Sequence, residues 1–261
     1  MLNVYKSTLV LVAILSTSSV FAVESFRTRT PILSGTQLVF PQGECTAGLV
    51  LKKTGVWENM TPYRRAVRYV LTASHCGRTN DDVRVGNQVV GKFVWRSERS
   101  DLGLVRIEPS RRNFTHCSAP STGLTCSIVT TYEPLALGKI FVSTTGIALS
   151  IRGTGAPNTN EIFCTSGHTT GINCTWGKVP TPPGWMHPVT PQTTKSAETY
   201  GRNVEGGDSG GPVASFPTRG LIYGIISDKG MHWSEHPNKM NYVPIAQFFQ
   251  EQPGYEIAPS N

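Results

Sequence analysis

Short apolar runs, most of them closed by Gly, Pro, Asn or Ser, set the fold class this chain can reach. Runs of four to eight residues are strand length and are too short for a helix that buries one face. The strand candidates are Gly48–Lys52, Arg68–Thr72, Gln88–Val94, Leu102–Ile107, Lys139–Thr144, Ala148–Arg152, Gly211–Ser215 and Leu221–Ser227. The 26 glycines and 18 prolines supply the turns between them. One segment has helical spacing: Pro244 opens it, and Ile245, Phe248 and Phe249 recur up to Pro253. Pro180–Pro191 is the most loop-like internal stretch. No repeat of 33–45 residues is visible, so solenoids and propellers are set aside. Many strands, long connections and one C-terminal helix suit an all-β sandwich or barrel.

The N-terminus has the form of a signal peptide over residues 1–22. Lys6 supplies the positive end, Leu9–Leu15 the apolar stretch, and Val20 and Ala22 the small residues before a cut. An uncleaved anchor is the alternative. Residues 23–30 then read as a short propeptide or a disordered end, and 253–261 as a tail. A secreted, extracellular chain with six cysteines is expected to form disulfides. Proximity favours Cys45–Cys76, Cys117–Cys126 and Cys164–Cys174, each stabilising by roughly 3 kcal/mol. A zinc site is the weaker alternative, since no CxxC or HExxH occurs, and no cofactor or metal is implied. Asn59, Asn113 and Asn173 stand in N-glycosylation sequons.

A net charge of +7 raises the question of an anionic partner. The basic residues form only small groups, Arg64-Arg65-Arg68, Arg96-Arg99 and Arg111-Arg112, without the concentrated face of a nucleic-acid binder. No later stretch approaches the 18 apolar residues of a membrane span. No nucleic acid or membrane partner is expected, and a monomer is.

Three segments carry chemistry. In Leu71-Thr72-Ala73-Ser74-His75-Cys76 a strand-like run ends in small residues, a histidine and a cysteine. Small neighbours let an imidazole pack closely, and a disulfide would fix its loop. In Ser100-Asp101-Leu102-Gly103-Leu104-Val105 an aspartate enters an apolar strand, where an ionised carboxylate needs a partner. Alone, His75 reads equally well as a half-buried histidine, and Asp101 as a turn cap. Gly206-Gly207-Asp208-Ser209-Gly210-Gly211-Pro212 is more specific. Glycines around a serine allow a tight loop, with the Gly207 and Ser209 amides forming an oxyanion hole.

LTASHC, SDLGLV and GDSGGP resemble the three signature blocks of the chymotrypsin-like serine peptidases. The resemblance implies two antiparallel six-stranded barrels with a C-terminal helix. Barrel one would span 31–125, barrel two 126–243 and the helix 244–252, within a peptidase domain at 31–250. It implies Ser209 as nucleophile, His75 as general base and Asp101 as the residue orienting it, with Asp208 shaping the oxyanion loop. Cys45-Thr46-Ala47-Gly48, the Gly167-His168-Thr169-Thr170-Gly171 region and Ile32-Leu33-Ser34-Gly35 are similar to the compact streptogrisin and α-lytic branch.

Departures fall around the substrate pocket. The cysteine that usually precedes the serine is missing from Asn203-Val204-Glu205-Gly206. Ser227 matches the strand that pairs with substrate, but Asp228, Lys229 and Gly230 replace the usual continuation. Ser227, Asn203, Glu205 and Lys229 are therefore the candidate substrate-binding residues. Lys229 would favour an acidic side chain, Glu205 or Asp228 a basic one, and specificity stays open. The implied activity is a serine endopeptidase acting on protein or peptide substrates, with proteinaceous inhibitors as further partners. A binding protein on the same scaffold is the alternative. An α/β-hydrolase is set aside because it would place Ser before Asp before His.

Overall fold

The computed structural model describes residues 24–119, 124–183, 185, 194–215, 219–228 and 236–261. The expected signal peptide, Lys229 and most of 184–193 lie outside the described residues.

The first half supplies β1 (Ile32–Ser34), β2 (Gln37–Phe40), β3 (Gly43–Thr46), β4 (Leu49–Lys53), α1 (Pro62–Ala66), β5 (Arg68–Thr72), β6 (Asp82–Val85), β7 (Gln88–Arg96) and β8 (Gly103–Ile107). Between the two main sheets come β9 (Ser110–Ser118), β10 (Thr125–Glu133), β11 (Ala136–Phe141), β12 (Ala148–Ser150) and β13 (Gly153–Thr154). The second half supplies β14 (Ile162–Gly167), β15 (Gly171–Val179), β16 (Lys195–Thr199), β17 (Pro212–Ser215), β18 (Leu221–Asp228), β19 (Lys239–Pro244), α2 (Ile245–Glu251) and β20 (Tyr255–Ile257).

The second sheet closes. Its order β18-β17-β14-β15-β16-β19 returns to the start through β18–β19 pairing, giving a six-stranded barrel, with β13 added outside in parallel. The first is a curled eight-stranded sheet, β20-β4-β5-β8-β7-β6-β2-β3. It ends in edges at β20 and β3, the former supplied by the C-terminus. Residues after the helix are thus more than a tail: Tyr255–Ile257 pairs with β4, and Ala258 is buried in the first core.

Two further expectations shift. The closed barrel begins at Ile162, whereas a start near 126 was expected. Residues 110–133 form a separate hairpin instead, stapled by Cys117–Cys126 across its register. Most of its residues are exposed, so neither face has a core to join. The segment after residue 23 is packed: Ser25–Thr28 makes a 3₁₀ turn, and the Arg27 side chain is fully buried.

Period-2 alternation explains how the halves join. In β4, Val50 points into the first core, while Leu49 and Leu51 point the other way. In β5 and β8, Val70 and Val105 repeat the first choice and Tyr69, Leu71 and Leu104 the second. The central residues of β4, β5 and β8 are buried on both faces, which is why Leu49-Val50-Leu51, Tyr69-Val70-Leu71 and Leu104-Val105 read as continuous apolar stretches. The shared cluster takes Ile222 and Ile225 from β18, Val243 from β19 and Phe248 from α2, cementing one sheet to the other. Phe163, Trp176, Tyr223 and Tyr242 fill the closed barrel.

The C-terminal segment also crosses β11. Gly138 N–H donates to the Pro259 carbonyl at 2.8 Å, and a Cβ on Gly138 would lie 1.9 Å from the Ala258 oxygen. Gly138→Ala should therefore push the segment away and cost about 1–3 kcal/mol, as overpacking does. Thermal unfolding should show a Tm lower by about 2–4 °C per kcal/mol; an unchanged Tm would contradict this packing.

Candidate active site

β5 delivers Ser74, His75 and Cys76 on a 3₁₀ turn. The Cys45–Cys76 disulfide ties this turn to β3. Asp101 lies two residues before β8, which pairs with β5 in register Thr72↔Gly103. That pairing brings the carboxylate under the imidazole. Asp101 Oδ2 lies 2.8 Å from His75 Nδ1 and accepts the Ser227 hydroxyl at 2.6 Å. Oδ1 accepts the Ser74 hydroxyl at 2.9 Å and the His75 backbone N–H at 3.1 Å. The carboxylate is 8% exposed, so four donors surround a nearly buried charge.

Protonation follows from these contacts. Burial alone would raise the Asp101 pKa, but the hydrogen bond and charge of His75, then Ser227 and Ser74, bring it down to about 2. Burial alone would lower the His75 pKa. The hydrogen bond and charge of Asp101, with Asp228, outweigh burial and Arg96 and raise it above the ordinary 6.5. The imidazole side chain keeps 47% of its surface open, so its other nitrogen faces solvent access.

Ser209 lies in a loop that turns through two left-handed glycines, Gly207 at φ +98° and Gly210 at φ +86°. A Cβ on Gly210 would stand 2.0 Å from Thr72 Oγ1, and one on Gly207 2.5 Å from His168 Cε1. Only glycine fits both positions. The loop is bonded on every side: Thr46 N–H donates to the Ser209 carbonyl, Gly210 N–H to Ile226, and the Thr46 hydroxyl to the Gly207 carbonyl. Ser209 Oγ donates to the Ser227 carbonyl at 3.0 Å. Ser227 thus touches the carboxylate with its hydroxyl and the Ser209 hydroxyl with its backbone. The Ser209 hydroxyl is bonded to the Ser227 carbonyl and not to the imidazole.

Asp208 is fully buried. It accepts the N–H groups of Thr169, Thr170 and Glu205 at 2.9–3.1 Å, fixing the loop before Ser209 against the β14–β15 turn.

The overall likeness to known proteins lies in the fold. No protein-family model matches the chain. No curated protein matches it either. Solved structures do. Protease A of Thermobifida fusca shares 20% identity at a TM-score of 0.55, covering 87% of this chain and 98% of that one. A Nocardiopsis protease shares 18% at 0.56, covering 87% and 98%. The chymotrypsin of Cellulomonas bogoriensis shares 17% at 0.53, covering 88% and 99%.

The fold is that of the chymotrypsin-like serine proteases. Within it, the expected pocket residues divide. Ser227 stands beside Asp101 and Ser209. Asn203 is a staple: its Nδ2 donates to the carbonyls of Pro237 and Lys239 at 2.6 and 3.0 Å, and its Oδ1 accepts Val204 N–H. Glu205 meets the site through its backbone bond to Asp208. Asp228 is exposed at the end of β18 and acts on His75 through its charge. Cys45 and Cys76 have sulfurs within 4.8 Å of a His75 nitrogen, but their disulfide leaves no thiolate to hold a metal.

Sequence reasoning assigned no role to three residues around this chymotrypsin-like loop. Thr46 and His168 buttress Gly207 from behind, the His168 Nδ1 lying 3.1 Å from Thr46 Oγ1. Arg27 reaches in from the N-terminal segment. Its guanidinium bonds the Gly35 carbonyl at 2.8 Å, Ser166 Oγ at 3.1 Å and Glu24 at 2.6 Å, between the rings of Phe26 and Phe141. It also lies within electrostatic reach of Asp208. Burial lowers its pKa, and one of its nitrogens, Nη2, has no partner among the described residues.

Two outcomes follow. With a neutral imidazole as base, turnover should fall as pH drops through the His75 pKa, so the acid limb of kcat/KM should lie above 6.5. Asp101→Asn should move that limb down and reduce kcat by about 10⁴-fold; a pH-rate profile checks both. Arg27→Ala breaks the ion pair of the buried guanidinium with Glu24 and its bonds to Gly35 and Ser166 and should destabilise by about 3–5 kcal/mol, read by urea unfolding. Wild-type stability in that variant would contradict the assignment.

Proposed function

We propose that this chain is a secreted serine endopeptidase, hydrolysing peptide bonds through an acyl-enzyme. The observation that carries the reading is one carboxylate, Asp101, holding His75 Nδ1 at 2.8 Å while Ser227 links it to Ser209. In this reading Asp101 fixes the tautomer that leaves Nε2 free to accept a proton. His75 takes the proton of Ser209 Oγ as that oxygen bonds to the substrate carbonyl carbon. The carbonyl electrons move to oxygen, where the Gly207 and Ser209 N–H groups receive the negative charge. The imidazolium, stabilised by Asp101, then protonates the leaving amine as the C–N bond breaks. A water, deprotonated by the same imidazole, opens the acyl-enzyme and returns Ser209.

The rigidity of the Gly206–Gly211 loop supports this: donors aimed at the developing oxyanion contribute only if they need no reordering. The three disulfides, Cys45–Cys76, Cys117–Cys126 and Cys164–Cys174, support an oxidising, extracellular setting. Among the described residues no helix is long and apolar enough to cross a membrane. Of the sequons, Asn113 is exposed with its Nδ2 uncommitted among the described residues and suits a glycan best; Asn59 is exposed but donates its Nδ2 to the Gly55 carbonyl at 2.8 Å. Asn173 spends its amide on Thr199 Oγ1 and the Arg202 carbonyl, both at 2.8 Å, and suits one less.

Replacing Ser209 with Ala tests the reading. It should cut peptide-hydrolysis turnover by about 10⁶-fold and abolish labelling by a fluorophosphonate probe. Unchanged turnover, or labelling that persists, would refute it.

A further inference from the structure

The buried Asp101 carboxylate holds His75, and the loop that presents it must itself be held. Residues 97–101 connect β7 to β8. Ser97 is the hub of that connection: its N–H donates to the Leu102 carbonyl at 2.9 Å, and its Oγ accepts the N–H groups of Arg99 and Ser100, each at 3.0 Å. The Ser97 hydroxyl proton goes outside the loop, to Glu251 Oε2 at 2.7 Å. The Ser100 hydroxyl lies 3.1 Å from Ser97 Oγ and 3.4 Å from Glu251 Oε1. Gln247, one turn earlier in α2, steadies Oε1 with its amide at 2.6 Å. Ser97 and Ser100 are 9% and 1% exposed, so this acceptor cannot be replaced freely by bulk water.

Glu251 is otherwise badly placed. An acidic side chain in the last turn of a helix faces the negative end of the helix dipole. Its hydrogen bonds to a loop more than 150 residues away are what its position provides. The helix is seated for this by Phe248, whose ring lies 5.9 Å from that of Trp95 in β7.

We propose that Glu251 is a positioning residue for the active site: through Ser97 and Ser100 it latches the loop that holds Asp101 against His75. The inference rests on the roles proposed for Asp101 and His75. Loss of the latch lets the loop relax, so Asp101 aligns less well with Nδ1 and stabilises the imidazolium less. The other charges acting on His75 are Asp228 and Arg96. Arg96, Glu98 and Arg99 share with Glu251 the surface depression between loop and helix.

The experiment uses the full mature chain and three variants: Glu251→Ala, Glu251→Gln and Ser97→Ala. The His75 ring is titrated by NMR, and kcat and KM are measured on a peptide substrate. Glu251→Ala and Ser97→Ala should move the His75 midpoint down and lower kcat by up to about 10²-fold, with KM nearly unchanged. Glu251→Gln keeps an acceptor oxygen, should fold in any case, and should restore most of both readouts. A folded Glu251→Ala protein whose Tm falls while the His75 midpoint and kcat stay at wild-type values would overturn the proposal and leave Glu251 a merely structural residue. So would Glu251→Gln behaving no better than Glu251→Ala. If the wild-type chain neither turns over peptide nor takes a fluorophosphonate label, the peptidase reading fails by itself, and the NMR titration still decides whether Glu251 sets the Asp101–His75 contact.

Discussion

A single buried carboxylate organises this molecule. Asp101 is nearly enclosed, and an enclosed charge is tolerated only when hydrogen bonds replace the water it has lost. Its four donors come from two places: Ser74 and His75 after β5, and Ser227 on β18. The first pair belongs to the curled sheet and Ser227 to the closed barrel. The same contacts that make the charge tolerable therefore lock the two halves in register. They also orient an imidazole at their boundary, so stability and chemistry draw on one set of bonds.

The shared apolar cluster makes this possible. Leu49, Leu71 and Leu104 from one sheet meet Ile222, Ile225 and Phe248 from the other side. Burial of such side chains contributes about 1.5–3 kcal/mol each, and the seam sums several of them. The hydrophobic seam brings the halves together, and the polar network then selects the geometry. Around it, segments distant in sequence act as braces. Arg27 ties the N-terminal segment to Gly35 and to Ser166 in β14, and β20 extends the edge of the first sheet beside β4.

Sequence made the proposed chemistry legible because the groups assigned to it sit in contiguous blocks. His75 lies in a strand-to-turn junction of small residues, Asp101 at the mouth of an apolar strand, and Ser209 between glycines whose left-handed φ values only glycine adopts easily. The strands β4, β5 and β8 were equally readable, since burial on both faces leaves a continuous apolar stretch at the middle of each. The β9–β10 hairpin was not. Its residues face mostly solvent, so no periodicity marks it, and the barrel boundary was placed inside it. Arg27 and Glu251 stayed silent because the contacts that tie them to the rest of the fold, Arg27 to Ser166 and Glu251 to Ser97 and Ser100, span 139 to 154 residues. A single arginine near a chain end or glutamate near a helix end carries no local signal of such a contact. The structural part Asn203 plays was unreadable for the same reason: its amide binds the Pro237 and Lys239 carbonyls more than 30 residues away.

The central claim is that Ser209, His75 and the Gly207 and Ser209 amides meet at one reacting centre. The most direct measurement is a crystal structure of the chain reacted with a peptidyl phosphonate. The account predicts a covalent bond from phosphorus to Ser209 Oγ, with the phosphoryl oxygen about 2.7–3.1 Å from both amide nitrogens and His75 Nε2 turned toward the adduct. An adduct on another residue, or a phosphoryl oxygen pointing to solvent away from both amides, would contradict it.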